Sequence, residues 1–259
     1  MTEDGGAFIE TQIEKTLAAL RARHINGIYA EDFAEASRII LSLIPKEAVV
    51  GMGDSTGVRQ LGVLQALKDR GTTVLNPFDV KISDATPEAE ERRQDIVKTA
   101  TLCDVFLTGT NAITQDGRLV NVDAVGNRVA GMFWGHPTSI IVLGKNKIVK
   151  DLDEAFRRIR TIISPMHFRL RTDLGGRKRK IPCSTTGECS DCRATDRGCN
   201  VFTVIEGKPY RTEINVVMVN QDLGLGWDPS WPEERITNII ENYRKSVWIP
   251  LPTEQPGSS

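Results

Sequence analysis

Apolar positions along this chain recur in two rhythms. Near the N-terminus the rhythm is helical. Phe8, Ile9, Ile13, Leu17 and Leu20, and then Phe33, Ala36, Ile39, Ile40 and Leu43, fall mostly three or four residues apart. The spacing predicts two helices over residues 7–43, the second starting near Ala30 and stopped by Pro45. From residue 48 the rhythm changes, and short continuous apolar runs alternate with helical stretches. Runs at 48–53, 72–75, 104–108 and 139–144 read as strands. A stretch carrying Leu61, Leu64 and Leu67, then 87–102 and 151–163, read as helices. Residues 140–143 are apolar at every position, as in a strand covered on both faces. The pattern predicts an α/β fold with an open, mostly parallel, Rossmann-like sheet flanked by helices. Residues 201–206 and 212–219 offer two further strands, split by Gly207, Lys208 and Pro209, and 250–259 reads as a loose Pro/Ser/Gly-rich tail.

The expected organisation is one domain with four parts. Residues 1–46 are N-terminal helices packed on the core, and 47–165 are the α/β core with its loops. Residues 166–225 are a basic and Cys-rich segment plus completing strands, and 226–259 are a C-terminal extension. With 259 residues and 40% hydrophobic content the chain can bury a sizeable core. A net charge of −1 gives no global reason to bind nucleic acid or an anionic membrane. No apolar run nears the ~20 residues of a spanning helix, and residues 1–6 are polar and acidic, unlike a secretory leader. A cytoplasmic location is therefore expected.

Three loops at predicted strand ends carry candidate chemistry. Gly51, Gly53, Asp54, Ser55 and Thr56 lie between a strand and a helix, where glycines admit a ligand to the backbone and a helix start favours an anion. The spacing G-x-G-x-x-x-G is not a dinucleotide fingerprint. The second loop follows the strand at 105–107 and holds Gly109, Asn111, Asn121, Asp123, Asn127 and Arg128, with Asp116-Gly117 signalling a tight hairpin. Its asparagines can bind a ligand or hold the loop's own backbone. The third, Gly144, Asn146 and Lys147, brings a lysine to a strand end, where it could meet phosphate or carboxylate. The basic stretch 169–180 reads as a solvated face or as a flap over the site, and His24, His136 and His167 read as structural.

Four of the five cysteines, Cys183, Cys189, Cys192 and Cys199, are spaced C-x5-C-x2-C-x6-C. The central C-x2-C can chelate one ion, and four thiolates suit structural zinc or an iron–sulfur cluster. Reduced thiols without metal are the alternative. Cys103 stands alone in an apolar stretch and reads as core.

The stretches VVGMGDSTGVRQLGVLQAL, DVFLTGTNAITQDGRLVNVDAVGNRVAGMFWG, SIIVLGKNKIVKDLDEAFRRI and IPCSTTGECSDCRATDRGCN resemble the lactate-utilization protein C family, the LUD domain. The resemblance spans roughly residues 10–225. It implies a fold like that of the sugar-phosphate isomerase and coenzyme A transferase superfamily. It also implies a role in oxidising lactate or similar 2-hydroxy acids, with iron–sulfur oxidoreductases as partners. GTNAITQDGRLVN further resembles a motif of methylthioribose-phosphate isomerases, with Gly109, Gly117 and Asn121 matching. The position of that family's catalytic aspartate holds Asn111, which cannot cycle a proton, so Asp116 or Asp123 would have to supply an acid or base. The expected function is binding of a small anionic or phosphorylated ligand through the three loops, in concert with iron–sulfur oxidoreductases. A non-catalytic partner subunit and a stand-alone transferase or folate cyclo-ligase are the alternatives. Homo-oligomerisation stays open.

Overall fold

The computed structural model describes residues 3–79, 86–176 and 178–249, with side chains from residue 12 onward. The Phe8 and Ile9 side chains, Arg177 and the tail from 250 lie outside the described residues. The first half of the chain forms α1 (Glu3–Ala22), β1 (Asn26–Ala30), α2 (Phe33–Leu43), β2 (Val49–Met52), α3 (Thr56–Gln60), α4 (Val63–Asp69), β3 (Thr73–Leu75) and α5 (Pro87–Thr99). Then come β4 (Val105–Gly109), β5 (Ala112–Thr114), β6 (Leu119–Asp123), α6 (Asn127–Ala130), β7 (Thr138–Gly144), β8 (Ile148–Val149) and α7 (Leu152–Arg158). The last elements are α8 (Ser164–Asp173), α9 (Cys183–Thr186), β9 (Val201–Ile205), β10 (Glu213–Val219) and α10 (Glu233–Ser246).

Six strands form one open parallel sheet in the order β1-β10-β7-β4-β2-β3. The apolar runs explain its burial. Alternate residues of β7 point to opposite faces, so Ile140 and Val142 join one core while Ile141 and Leu143 join another. The first core is closed by α2, α3 and α4, through Ala36, Ile40, Val58, Val63 and Leu67. The second is closed by Ile13, Leu17 and Leu20 of α1 and by Ile113 and Leu119. Those last two belong to a smaller sheet, β8-β5-β6-β9, which the chain enters directly from β4. Its opposite face, Ala112 and Val120, packs with Ala155, Ile159, Ile239 and Tyr243 in a third core. No described helix is long and apolar enough to cross a membrane.

The open parallel sheet predicted from the apolar runs is the one observed. Three details differ. Residues 26–30 form an edge strand between the two N-terminal helices, paired with β10. The run is short and carries polar exposed positions, so it lacks the continuous apolar signature of the inner strands. The stretch with Leu61, Leu64 and Leu67 is two short helices, divided at Gly62 with φ 68°. The strands at 201–205 and 213–219 do not pair. The first joins β6 in the small sheet and the second lies between β1 and β7 in the large one.

Two features position the site. The connections after β2 run one way to β3 and the other way to β4, so a crevice opens above the ends of β2 and β4. Between α7 and α8 the helix widens into a π-helical turn, Ile159–Ile163. Pro165 follows it and has no N–H to give to the helical ladder. The extra residue sets Ser164, His167, Phe168 and Arg171 on one face of α8, at the crevice.

Candidate functional site

A cavity of about 430 Å³ occupies the crevice, within the range of small-molecule sites. Asp54, Ser55 and Thr56 reach it from the end of β2, and Gly109 and Asn111 from the end of β4. Asp123, Asn127 and Arg128 reach it after β6, and Lys147 after β7. The loops read from the sequence thus converge on one space. The opposite wall is helical: His167 and Arg171 of α8, Tyr243 of α10, and Trp248 just beyond it. Arg93 and Arg179 complete the lining.

The strand-end wall is a network centred on the buried Arg128, with the Asn121 Nδ2 donor left without a partner among the described residues. Its guanidinium donates to Gly109 O (3.0 Å), Asn121 Oδ1 (3.0 Å), Asn111 Oδ1 (3.0 Å) and Val122 O (2.7 Å), and its Nε lies 3.5 Å from Asp123 Oδ2. Asn111 Oδ1 also accepts from Val122 N, and Asn121 Oδ1 from Asn111 N. Asp123 Oδ1 accepts from the amides of Val125 and Gly126. Asn121 is fully buried and braces the network from behind. Arg128 therefore contributes positive field to the cavity, but its donors are already committed to the protein.

The first loop is similarly self-contained. Ser55 caps α3 by accepting from Val58 N at 3.3 Å. With five residues, α3 is too short to make an anion site from its amide ends. Asp54 pairs with Arg59 at 2.8 Å, and Arg59 also donates to Thr56 Oγ1 and to Ser246 O. Burial alone would push the Asp54 carboxyl up, but the cations around it, Arg59 and Arg171 foremost, hold it below its usual value. Asp54 is thus an ionised tie rather than a free base. Gly51, Gly53 and Gly144 make room: a Cβ there would lie 1.8 Å from Ala100 O, 2.8 Å from Arg128 Cγ and 2.4 Å from Gln221 O. Asn146, also fully buried, pins the chain after β10 through Leu223 N, Gly224 O and Gly226 O. Gly51, Gly53, Gly144, Asn121 and Asn146 shape the cavity without lining it.

Lys147 and Arg171 differ from these. Lys147 is buried and donates to Leu225 O, and among the described residues it has no carboxylate partner. Burial, reinforced by Arg158 and Arg128, brings its pKa down to about 7. Arg171 donates to His167 Nε2 at 3.0 Å and stacks over Trp248, and no described carboxylate pairs with it. Arginine can only donate, so His167 Nε2 accepts and its Nδ1–H donates to Tyr243 Oη, 2.6 Å away. The Tyr243 hydrogen is then directed elsewhere, toward Thr56 or the cavity. Burial, followed by Arg171, takes the His167 pKa down to about 3, so the ring is neutral. Burial pushes the Tyr243 hydroxyl up to about 12.

Asp116 is not brought to the cavity. It stands at the β5–β6 turn, bonded to Arg118 and Arg23, and the Arg118 hydrogen bond holds it down to about 2. The residues that sequence reasoning missed are His167, Arg171, Tyr243 and Trp248. Their signals were the four-residue spacing of His167 and Arg171 and the place of Arg171 in the basic stretch, from which Arg179 also reaches the cavity.

Cys183, Cys189, Cys192 and Cys199 are unpaired and line a second, small cavity. Burial first, and then the other three thiols, push Cys183 up to about 11. Among the described residues no three His, Cys, Asp or Glu side chains are already gathered as a metal-binding group. Cys103 is buried in the core.

No curated protein matches the sequence closely enough to count. A crystal structure of a DUF162 family protein from Deinococcus radiodurans at 1.70 Å resolution is similar at 14% identity and a TM-score of 0.43, over 83% of this chain and 98% of that one. The family model of the LUD domain matches residues 13–219, which include both walls of the crevice up to α8 and the four cysteines. The chain belongs to the LUD domain family.

Proposed function

We propose that the crevice binds a small molecule bearing a carboxylate or phosphate. The observation that carries this reading is the pair Lys147 and Arg171. Both reach the cavity with donors to spare; among the described residues Lys147 has no carboxylate partner, and the only carboxylate attracting Arg171 is Asp54, which Arg59 already pairs. A buried cation without a counterion is costly; an anionic ligand would remove that cost for Lys147 and give Arg171 a direct partner. Leu223, Leu225, Val142 and Ile163 give the ligand an apolar floor. The two carboxylates at the cavity, Asp54 and Asp123, are each tied to an arginine, which favours holding a ligand over acid–base turnover by either. The sequence resemblance to lactate-utilization proteins supports a 2-hydroxy or 2-oxo acid as the ligand and iron–sulfur oxidoreductases as the partners with which the protein acts.

Calorimetric titration of the full chain with L-lactate, pyruvate and inorganic phosphate tests the reading. The expected result is saturable binding of at least one of them, weakened tenfold or more by Arg171→Gln and by Lys147→Met. Binding of none, or binding undiminished in both variants, would overturn it.

A further inference from the structure

The four-cysteine cluster is a second concentration of chemistry, and it lies directly against the first. Cys183 opens α9, Cys199 precedes β9, and Cys189 and Cys192 lie between them. Residues 188–200 contain no helix or strand. Such a length of irregular chain, with few backbone bonds of its own, is uncommon in a compact domain without something to fasten it. The turn inside C-x2-C is already formed: Asp191 adopts φ 47°, the left-handed conformation that folds the two cysteines back toward one side. All four cysteines surround a single space of about 20 Å³, closed by Pro165, Phe168 and Ile181.

Size and charge at this space both suit a single ion. A space of this volume takes roughly one water-sized sphere. It suits one ion drawn in by its ligands. Four thiolates around one dication carry a net charge of −2, and two cations stand at the same space. Arg197 donates to Cys199 O (3.0 Å) and Cys192 O (2.5 Å), and Arg160 lines the cavity beside it. Asp191 Oδ1 holds both arginines at 2.9 Å.

The two cavities share a wall. Ser164, Phe168 and Gly198 line both. Gly198 sits so close on Phe168 that a Cβ would lie 2.1 Å from the ring. Arg179, at the crevice, donates to Asp196 O and stacks on Phe168 at 5.2 Å.

We propose that Cys183, Cys189, Cys192 and Cys199 bind a single thiophilic divalent ion of the zinc class, and that this ion fastens residues 178–200 as one wall of the crevice. The second half of the proposal rests on the crevice being an anion site, and the first half does not. Binding would convert a loosely bonded loop into a cross-linked one, because the free energy of metal binding is also folding free energy.

The test uses the full chain purified anaerobically, beside the Cys189→Ser/Cys192→Ser double variant. Elemental analysis should find one zinc per wild-type chain and none in the variant, with unchanged far-ultraviolet circular dichroism. Chelation of the wild type should raise amide exchange of residues 188–200 tenfold or more and weaken phosphate binding several-fold. Iron with sulfide, no metal, or equal metal in the variant would overturn the single-ion site. Zinc present but exchange unchanged on chelation would overturn the fastening role. Zinc and protected exchange without binding of lactate, pyruvate or phosphate would leave this site standing and overturn the reading of the crevice instead.

Discussion

The two sides of the crevice are built on different terms. On the strand-end side, the side-chain oxygens of Asn111, Asn121 and Asp123 and the guanidinium of Arg128 are bonded to one another and to the backbone, and Asp54 and Ser55 are tied to Arg59 and Val58. On the helical side, Arg171, His167 and Tyr243 form an open chain whose ends still have donors. The first side resembles a rigid socket and the second a set of hands. Lys147 stands at a strand end but behaves like the helical side, since it donates to Leu225 O and to no carboxylate among the described residues. A loop dense in Asn and Asp is thus no guide to where a ligand is touched: most of that polarity is consumed in holding the loop.

Substitutions can break this contrast. The largest expected effect is on folding. Arg128→Met would take the Arg128 donor from the Gly109 and Val122 carbonyls and the cation from the buried Asp123, and leave Asn111 and Asn121 Oδ1 with one donor each. At ~1–3 kcal/mol for each buried group left unpaired, and with partial relaxation, the loss is on the order of 4 kcal/mol in a urea titration. Arg171→Gln should change stability by less than about 1 kcal/mol, because one side-chain bond is lost, yet weaken anion binding tenfold or more. Equal stability losses for the two variants would erase the distinction between socket and hands.

A pH profile sharpens the comparison further. Lys147 is depressed to about 7 in the free protein, and a bound anion favours its charged form. Affinity for lactate, whose carboxylate does not titrate there, is therefore full below pH 7. It should fall by up to about tenfold per unit as pH rises above 7. The same profile for Lys147→Met should be flat and weak. His167 gives a smaller effect on stability. Its folded pKa of about 3 lies below the unfolded value, so the unfolded state binds more protons between pH 6.5 and 3. Stability is lost as pH falls through that window, and His167→Gln should make that part of the curve shallower. Smallest is Ser55→Ala, which removes a helix cap and should cost about 1 kcal/mol of stability with little change in affinity.

Much of the architecture was legible in the chain. Strands β2, β4 and β7 were visible because a strand buried on both faces has no polar position to hide, and Ile140 to Leu143 show this. The hairpin at Asp116-Gly117 was visible because its turn requires those residues, with Gly117 at φ 88°. The edge strand β1 was not, since only one of its sides is paired and its exposed positions break the pattern. The C-terminal segment read as an extension, yet α10 supplies Ile239 and Tyr243 to a core, and Tyr243 to the crevice.

By itself, then, the sequence determined which segments become strands, where the chain must turn, and which loops emerge at the ends of the parallel strands. Those depend on local spacing and on the topology that the spacing forces. Only the tertiary structure decided which polar groups remain available to a ligand. Arg128 and Arg171 are the same residue type, and their difference lies in partners brought from Asn111, Asn121, His167 and Trp248. A hydrogen bond is satisfied in space, and Tyr243 meets His167 across a separation of 76 residues along the chain.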